Sequence, residues 1–320
     1  MEKPFHGGER HPTCLKDALE VHDLIEERSF IGGEWISGNG TFPVYDPVTN
    51  QVIANVANME MDDFREAIDH AHEAFETFSR TKEYAEKAAK TMKKISMELG
   101  GNASFIVFED ADLDDAADAL MGCKFRCSGQ TCICANRVFV QRTAADTFIS
   151  RLSDRICHDL KMRSGFDPSV TNGPLVNKAA VNKMHELIND AVLKGATVVA
   201  RRGGNKTSET AAVKGLLAAG NFIFGPIASV VVFDREEDVV RLANNTEFGL
   251  ASYFFSHDHR RIWRVAEALQ VGMVGVNTGK ISEAGSPFGG VKESGYGKEG
   301  SKYGLAEYQV IKSVTLGGLA

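Results

Sequence analysis

The sequence predicts an α/β fold with an open, mostly parallel sheet and helices on both faces. From Met97 onward, strand-length apolar runs alternate with segments of helical periodicity, the pattern of successive βαβ units. The 320 residues suffice to bury a sizeable core and to divide into two domains, and no internal repeat points to a solenoid.

Taken in order, residues 1–28 are polar and weakly patterned, a loose arm with a short helix around Leu15–Ile25. FIGGEWISGNG, FPVYDPVTN and QVIANVA read as short strands broken by turn residues. Asp62 to Phe78 fits an amphipathic helix, with Phe64, Ala67, Ile68, Ala71 and Phe75 on one face. The lysine- and glutamate-rich SRTKEYAEKAAKTMKKISMELGG is compatible with a helix whose apolar face is thin. Next come a strand at FIVF, a helix from Asp112 to Arg126, a strand from Val138 to Gln141 and a helix from Ala144 to Lys161. Helix Lys178–Lys194, strands TVVA and ASVVVF, helix Glu236–Asn244, strand ASYFF, helix Arg260–Ala268 and strand VGMVGVN complete the run. The tail, EYQVIKSVTLGG, reads as one long strand after a glycine-rich loop.

Composition excludes several classes. A net charge of −7 argues against a nucleic-acid binder, and no window approaches 18 consecutive apolar residues, so no membrane span is expected. The N-terminal MEKPFHGGERHPTCLKDALE has neither the apolar centre of a secretory signal nor the arginine-rich pattern of a presequence. Six cysteines, four of them between Cys123 and Cys134, do not form the lattice of a small secreted domain. A reducing, cytoplasmic compartment is the expectation.

The cysteine cluster FRCSGQTCICANR can be a metal site, packed core or the seat of a nucleophile. Leu113, Ala116, Leu120, Cys123 and Cys127 fall on one helical face, which assigns Cys123 and Cys127 to the core. The C-x₃-C-x₄-C-x-C spacing, without a nearby histidine, does not match structural zinc, so no metal is expected. Cys132, in a loop between helix and strand, is the thiol best placed to face a cleft.

GQTCICANR after KFR, MELGGNASFIVFEDADLD upstream and PFGGVKESGYGKEGSKYG downstream resemble the aldehyde dehydrogenase superfamily, in wording closest to its succinate-semialdehyde branch. The likeness runs from Lys93 to Gly318 and again from Phe30 to Phe78. It implies an aldehyde-dehydrogenase-like catalytic domain at 97–290, a truncated remnant of the NAD(P)-binding domain at 29–96, and a glycine-rich loop with an oligomerisation strand at 291–320. It also implies oxidation of succinic semialdehyde with NAD or NADP through a cysteine thiohemiacetal and thioester, in a homo-oligomer or a mixed oligomer with a full-length relative. Relatives of this kind work in both cytosol and mitochondria.

By the same resemblance Cys132 matches the nucleophile, and Glu98, 34 residues earlier, the base that activates the hydrolytic water. The run Met97, Leu99, Gly100 and Gly101 argues against a surface position for Glu98. Arg126 and Ser282 match groups that hold a distal carboxylate, a task suited to a guanidinium fork. Cys134 matches a cysteine that pairs reversibly with the nucleophile, which in a C-x-C loop requires local rearrangement. Phe288 matches an aromatic wall of the substrate tunnel, and Asn277 a residue near the site. GYGKEG, Gly295 to Gly300, is a literal G-x-G-x-x-G but follows a loop, so its glycines read as turn residues.

The family's W-N-F-P, K-P-A and F-T-G-S segments are absent from the sequence, and Phe222 stands where the family has its ribose-binding glutamate. These departures leave two further readings open. One is a chain without turnover that assembles with a relative; the other is a thiol esterase that needs no cofactor.

Overall fold

The computed structural model describes residues 25–47, 49–78, 96–161, 163, 167–202, 210–214 and 224–316. The helices expected at 15–25 and within 79–95, and Phe222, fall on residues outside this set or, for the first, at its very edge. The chain divides into two compact units, Met1–Lys94 with Arg163–Pro168, and Ile95–Met162 with Ser169–Ala320.

The first unit opens with a hairpin of β1 (Ser29–Ile31) and β2 (Glu34–Ile36). Its two-residue turn is Gly32-Gly33, both at positive φ, the backbone that a tight hairpin demands and glycine adopts without penalty. A second hairpin pairs β3 (Thr41–Tyr45) with β4 (Val52–Ala57), and α1 (Met61–Phe78) follows. The periodicity that predicts α1 is correct, but Phe64 and Ile68 on its apolar stripe are 56% and 55% exposed.

The second unit begins with β5 (Met97–Glu98) and β6 (Ala103–Val107). Then come α2 (Leu113–Leu120), β7 (Ala135–Gln141), α3 (Arg142–Asp159), α4 (Lys178–Leu193), β8 (Thr197–Arg202), β9 (Thr210–Lys214) and β10 (Ile227–Phe233). After α5 (Glu236–Asn244) lie β11 (Phe248–Gly249), β12 (Ala251–Phe255), α6 (His259–Ala268) and β13 (Met273–Val276). Two short strands, β14 (Val291–Lys292) and β15 (Gly295–Tyr296), and α7 (Ser301–Leu305) complete the order.

The main sheet runs β13-β12-β6-β7-β10-β9-β8, parallel throughout except for the antiparallel edge pair β9–β8. Strand alternation distributes the apolar side chains to two faces. Phe105, Val138, Val140, Val230 and Tyr253 pack with α2 and α3 on one side. Ile106, Phe139 and Phe254 pack with α5 and α6 on the other. The expected α/β sheet covered on both faces is thus present.

Three elements differ from the expectation. β9 has no counterpart in the sequence reading; it is a strand because β10 and β8 flank it, not because its own residues alternate. The helix expected to Arg126 stops at Leu120 and tightens into other turns, described below. The tail is not a strand: after a 3₁₀ turn at Ala306–Tyr308, residues 309–316 lie outside any sheet, with Ile311 99% exposed. A strand exists only with a hydrogen-bonding neighbour, and the described residues supply none to this segment.

Candidate active site

The site begins at α2. Asp112 caps this helix by accepting hydrogen bonds from the amides of Asp114 (2.9 Å) and Asp115 (3.1 Å), an arrangement its side chain favours. Past Leu120 the chain makes a π turn over Met121–Phe125 and a 3₁₀ turn over Arg126–Gly129. The wider turn shifts the angular register, so the stripe that keeps Ala116, Leu120 and Cys123 buried no longer reaches Cys127, which is exposed. Assignment of Cys127 to the core is corrected accordingly; Cys123 is buried, and burial pushes its thiol up to about 11.

Cys132 lies in the loop that enters β7 and is half-buried, with Cys134 fully buried behind it. Burial raises the Cys132 thiol above its ordinary pKa; Cys134 and the Glu98 carboxylate raise it further, against the backbone N–H groups of Cys132 and Ile133. Cys134 shares a 2.7 Å hydrogen bond with the Thr131 hydroxyl. Pairing of Cys134 with Cys132 would break that contact. The Ile133 carbonyl accepts from the Tyr253 hydroxyl at 2.9 Å, which fixes the loop against β12.

Glu98, whose charge acts on this thiol, is placed by a separate route. β5 pairs antiparallel with β15, setting Glu98 opposite Gly295. Buried Ser294 locks the ribbon: the Leu99 amide donates to its carbonyl at 3.1 Å, and its hydroxyl donates to the Gly100 carbonyl at 2.7 Å. Gly101 then passes so close to the Cys132 carbonyl that a Cβ there would collide with it. A Cβ on Gly289, of PFGG, would sit 3.3 Å from Glu98 Oε1. The glycines of both motifs are therefore what allow the carboxylate, the thiol loop and the PFGG turn to converge.

Glu98 is exposed, as are Met97 and Leu99 at 38% and 45%, which corrects the inference that its apolar neighbours bury it. Those neighbours sit on a two-stranded ribbon separate from the main sheet, where apolar flanks do not imply burial. Its pKa is nevertheless raised, first by partial desolvation and then by the charge of Glu299, against the opposing charge of Lys298. Glu299 and Lys298 are neighbours that the sequence reading missed. They lie some 200 residues from Glu98 in the chain, and only the backbone pairing of Phe288 with Glu299 and of β15 with β5 brings them in.

Arg126 is exposed at the end of the π turn, and its charge reaches the buried Tyr253 hydroxyl. Ser282 is half-buried next to Ile281, which packs on Gly275 beside Tyr253. No hydrogen bond joins Ser282 to Arg126 among the described residues. Phe288 is half-buried against the same core as Cys132. Asn277 is structural: from a positive φ of 52° its amide group donates to the Ser256 carbonyl and accepts from the Ser256 amide, both at 3.0 Å.

Behind the thiol loop sits a buried cation with no sequence signal. The Lys124 ammonium, fully buried, donates to Asn136 Oδ1 at 2.8 Å, and burial holds its pKa down to about 8 despite the nearby Cys134 and Cys123 thiols. No group of three or more metal-ligating side chains occurs among the described residues. The glycines of GYGKEG, Gly295, Gly297 and Gly300, all have positive φ, and the first of them opens β15, which pairs antiparallel with β5. They are turn glycines. In the first unit the described strands are two antiparallel hairpins, so its described residues do not assemble the parallel βαβ crevice that holds a dinucleotide.

Comparison with known proteins follows the same lines. The aldehyde dehydrogenase family model matches residues 35–86 and 81–314. Succinate-semialdehyde dehydrogenase [NADP(+)] 1 of Schizosaccharomyces pombe is 50% identical over 246 residues, which are 73% of this chain and 49% of that protein. The mitochondrial succinate-semialdehyde dehydrogenase of Mus musculus is 49% identical over 240 residues, 72% of this chain and 46% of that one. The chain thus spans about half the length of the curated relatives it matches. Among solved structures, succinate-semialdehyde dehydrogenase from Burkholderia pseudomallei superposes with a TM-score of 0.84 at 28% identity, covering 92% of this chain and 98% of that chain. No helix among the described residues is long and apolar enough to cross a membrane. Motif order, fold and matched residues agree: the chain belongs to the aldehyde dehydrogenase family.

Proposed function

We propose that this chain is a succinate-semialdehyde dehydrogenase-type enzyme that oxidises succinic semialdehyde to succinate, as in the breakdown of 4-aminobutyrate, in the cytoplasm or the mitochondrion. The observation that carries the reading is the convergence of a half-exposed thiol, Cys132, with the Glu98 carboxylate, held there by Gly101 and Ser294. Cys132 Sγ adds to the aldehyde carbon, with the backbone N–H groups of Cys132 and Ile133 favouring the thiolate. Glu98, held in its neutral form to higher pH than an ordinary carboxylate, takes the proton of the water that hydrolyses the acyl thioester. Arg126 and Ser282 bind the distal carboxylate, Phe288 walls the site, and Cys134 serves as a reversible partner of the thiol. NAD+ or NADP+ supplies the hydride acceptor when bound; the likeness to relatives carries that assignment, because the described residues assemble no crevice for it. The chain works as a homo-oligomer, or with a full-length relative, through residues 309–316.

The test is conversion of succinic semialdehyde with each cofactor, followed through the reduced nicotinamide. Turnover that Cys132→Ala abolishes supports the reading. Its absence with both cofactors, together with Cys132-dependent hydrolysis of an aryl ester, would reassign the pair to cofactor-free hydrolysis.

A further inference from the structure

We infer that Ser128, Gln130 and Asn172 form a clamp that positions the Cys132 loop by holding a left-handed turn of backbone just ahead of the thiol; the inference rests on the role proposed for Cys132. Cys127 (φ 50°, ψ 31°) and Ser128 (φ 54°, ψ 33°) are followed by Gly129 at φ 73°. Consecutive left-handed residues that carry side chains are disfavoured, and such a conformation persists only where its surroundings over-determine it.

Those surroundings are the segment 172–176. The Ser128 hydroxyl donates to the Gly173 carbonyl at 2.6 Å, and the Asn172 side-chain amide donates to the Phe125 carbonyl at 2.9 Å. The Val176 amide donates to Gln130 Oε1 at 2.9 Å, while Gln130 Nε2 and its backbone amide donate to the Cys127 carbonyl at 3.3 and 3.1 Å. Gly129 closes the remaining side, since a Cβ there would strike the Gly225 carbonyl. Ser128 and Asn172 are 2% and 4% exposed, so neither hydroxyl nor amide can exchange these bonds for water. One segment therefore grips the turn before, within and after its left-handed residues. Two residues past Gln130 the chain reaches Cys132, and the Cys134 amide closes on the Thr131 carbonyl at 3.2 Å. The direction in which the thiol leaves the loop is set by a turn that cannot relax to right-handed backbone without losing this set of bonds.

The test measures iodoacetamide modification of Cys132 against pH, by peptide mass mapping of the full chain, in wild type, Ser128→Ala, Asn172→Ala and Cys127→Gly. Loss of the clamp opens the loop and weakens the burial that raises the thiol. The Cys132 midpoint is then expected to fall in Ser128→Ala and Asn172→Ala, with a several-fold faster reaction near neutrality. Cys127→Gly retains every clamp bond and relieves the left-handed position, so it is expected to keep the wild-type profile. Asn172→Ala, which leaves the left-handed residues themselves unchanged, decides the matter should Ser128→Ala not fold. A wild-type Cys132 profile in the clamp variants overturns the clamp, whatever their melting temperatures. Failure of Cys132 to react in the wild type would instead overturn the role proposed for the thiol, and the clamp with it.

Discussion

At Cys132 the neutral thiol is favoured by burial, by Cys134 and by the charge of Glu98. Replacing Glu98 by Gln removes a like charge, so the Cys132 pKa falls and more thiolate exists at any pH below it. Alkylation of Cys132 in Glu98→Gln is expected to be about two- to fivefold faster at fixed pH, for a charge effect well under 1.4 kcal/mol. The same variant is expected to lose turnover by about 10²–10⁴-fold, since it removes the base proposed for the hydrolytic water. Arg126→Gln is expected to raise KM for succinic semialdehyde by about 10–100-fold and to leave an uncharged aldehyde of the same length unaffected, the worth of one charge-assisted pair. Lys124 carries a stability prediction. Burial holds its pKa down to about 8 in the folded chain against an ordinary 10.5, so between those pH values the unfolded chain binds the extra proton. Stability from this group is therefore complete above pH 10.5 and lost as pH falls through about 8. Lys124→Met should remove that slope, about 3 kcal/mol across the window, in urea unfolding followed against pH. Cys132 and Glu98 were legible because each sits in a run of residues with a recognisable order. Lys124 was not, since a lysine in a helical segment reads as surface charge until the packing around it is known.

Among the elements, the β5–β15 ribbon and the turns after α2 carry the site. Gly101→Ala places a methyl against the Cys132 carbonyl and Leu250, and must push the Glu98 ribbon from the thiol loop. A loss of about 1–3 kcal/mol in the denaturation midpoint is expected, with Cys132 alkylation less sensitive to Glu98→Gln in this background. Helix α5 and strand β12 lie where their periodicity and β-branched or aromatic content place them, because both bury one consistent set of side chains in the sheet core. The turns after α2 were illegible for the opposite reason. The spacing of Leu113 through Cys127 supports an unbroken helix, whereas the π and left-handed turns are held by contacts from distant segments, among them the bonds from 172–176, more than 40 residues on. β9 failed in the same way, since its partners lie outside its own sequence.

Across the whole chain, Arg137 ties distant parts of the second unit together. It is 6% exposed, and its guanidinium donates to the carbonyls of Asn102, Leu242 and Ala243 at 2.9–3.0 Å, joining β7 to the loop before β6 and to the end of α5. Burial holds its pKa down to about 10. Arg137→Leu strands three buried acceptors and is expected to lower stability by about 2–4 kcal/mol in chemical denaturation. If residues 309–316 join two chains as proposed, deletion of 309–320 is expected to leave a monomer by light scattering, since the exposed Val310, Ile311, Val314 and Leu316 are the apolar residues that would meet a second chain. The sequence by itself determined the family and the α/β alternation, and singled out Cys132 and Glu98 as candidates, because periodicity and motif order are local properties. Tertiary structure decided that Glu98 is exposed while its charge still raises the Cys132 pKa, that Cys127 leaves the core, and that Lys124 and Arg137 are buried. Each of these depends on backbone pairings and carbonyl contacts between segments far apart in the chain, which no local pattern encodes.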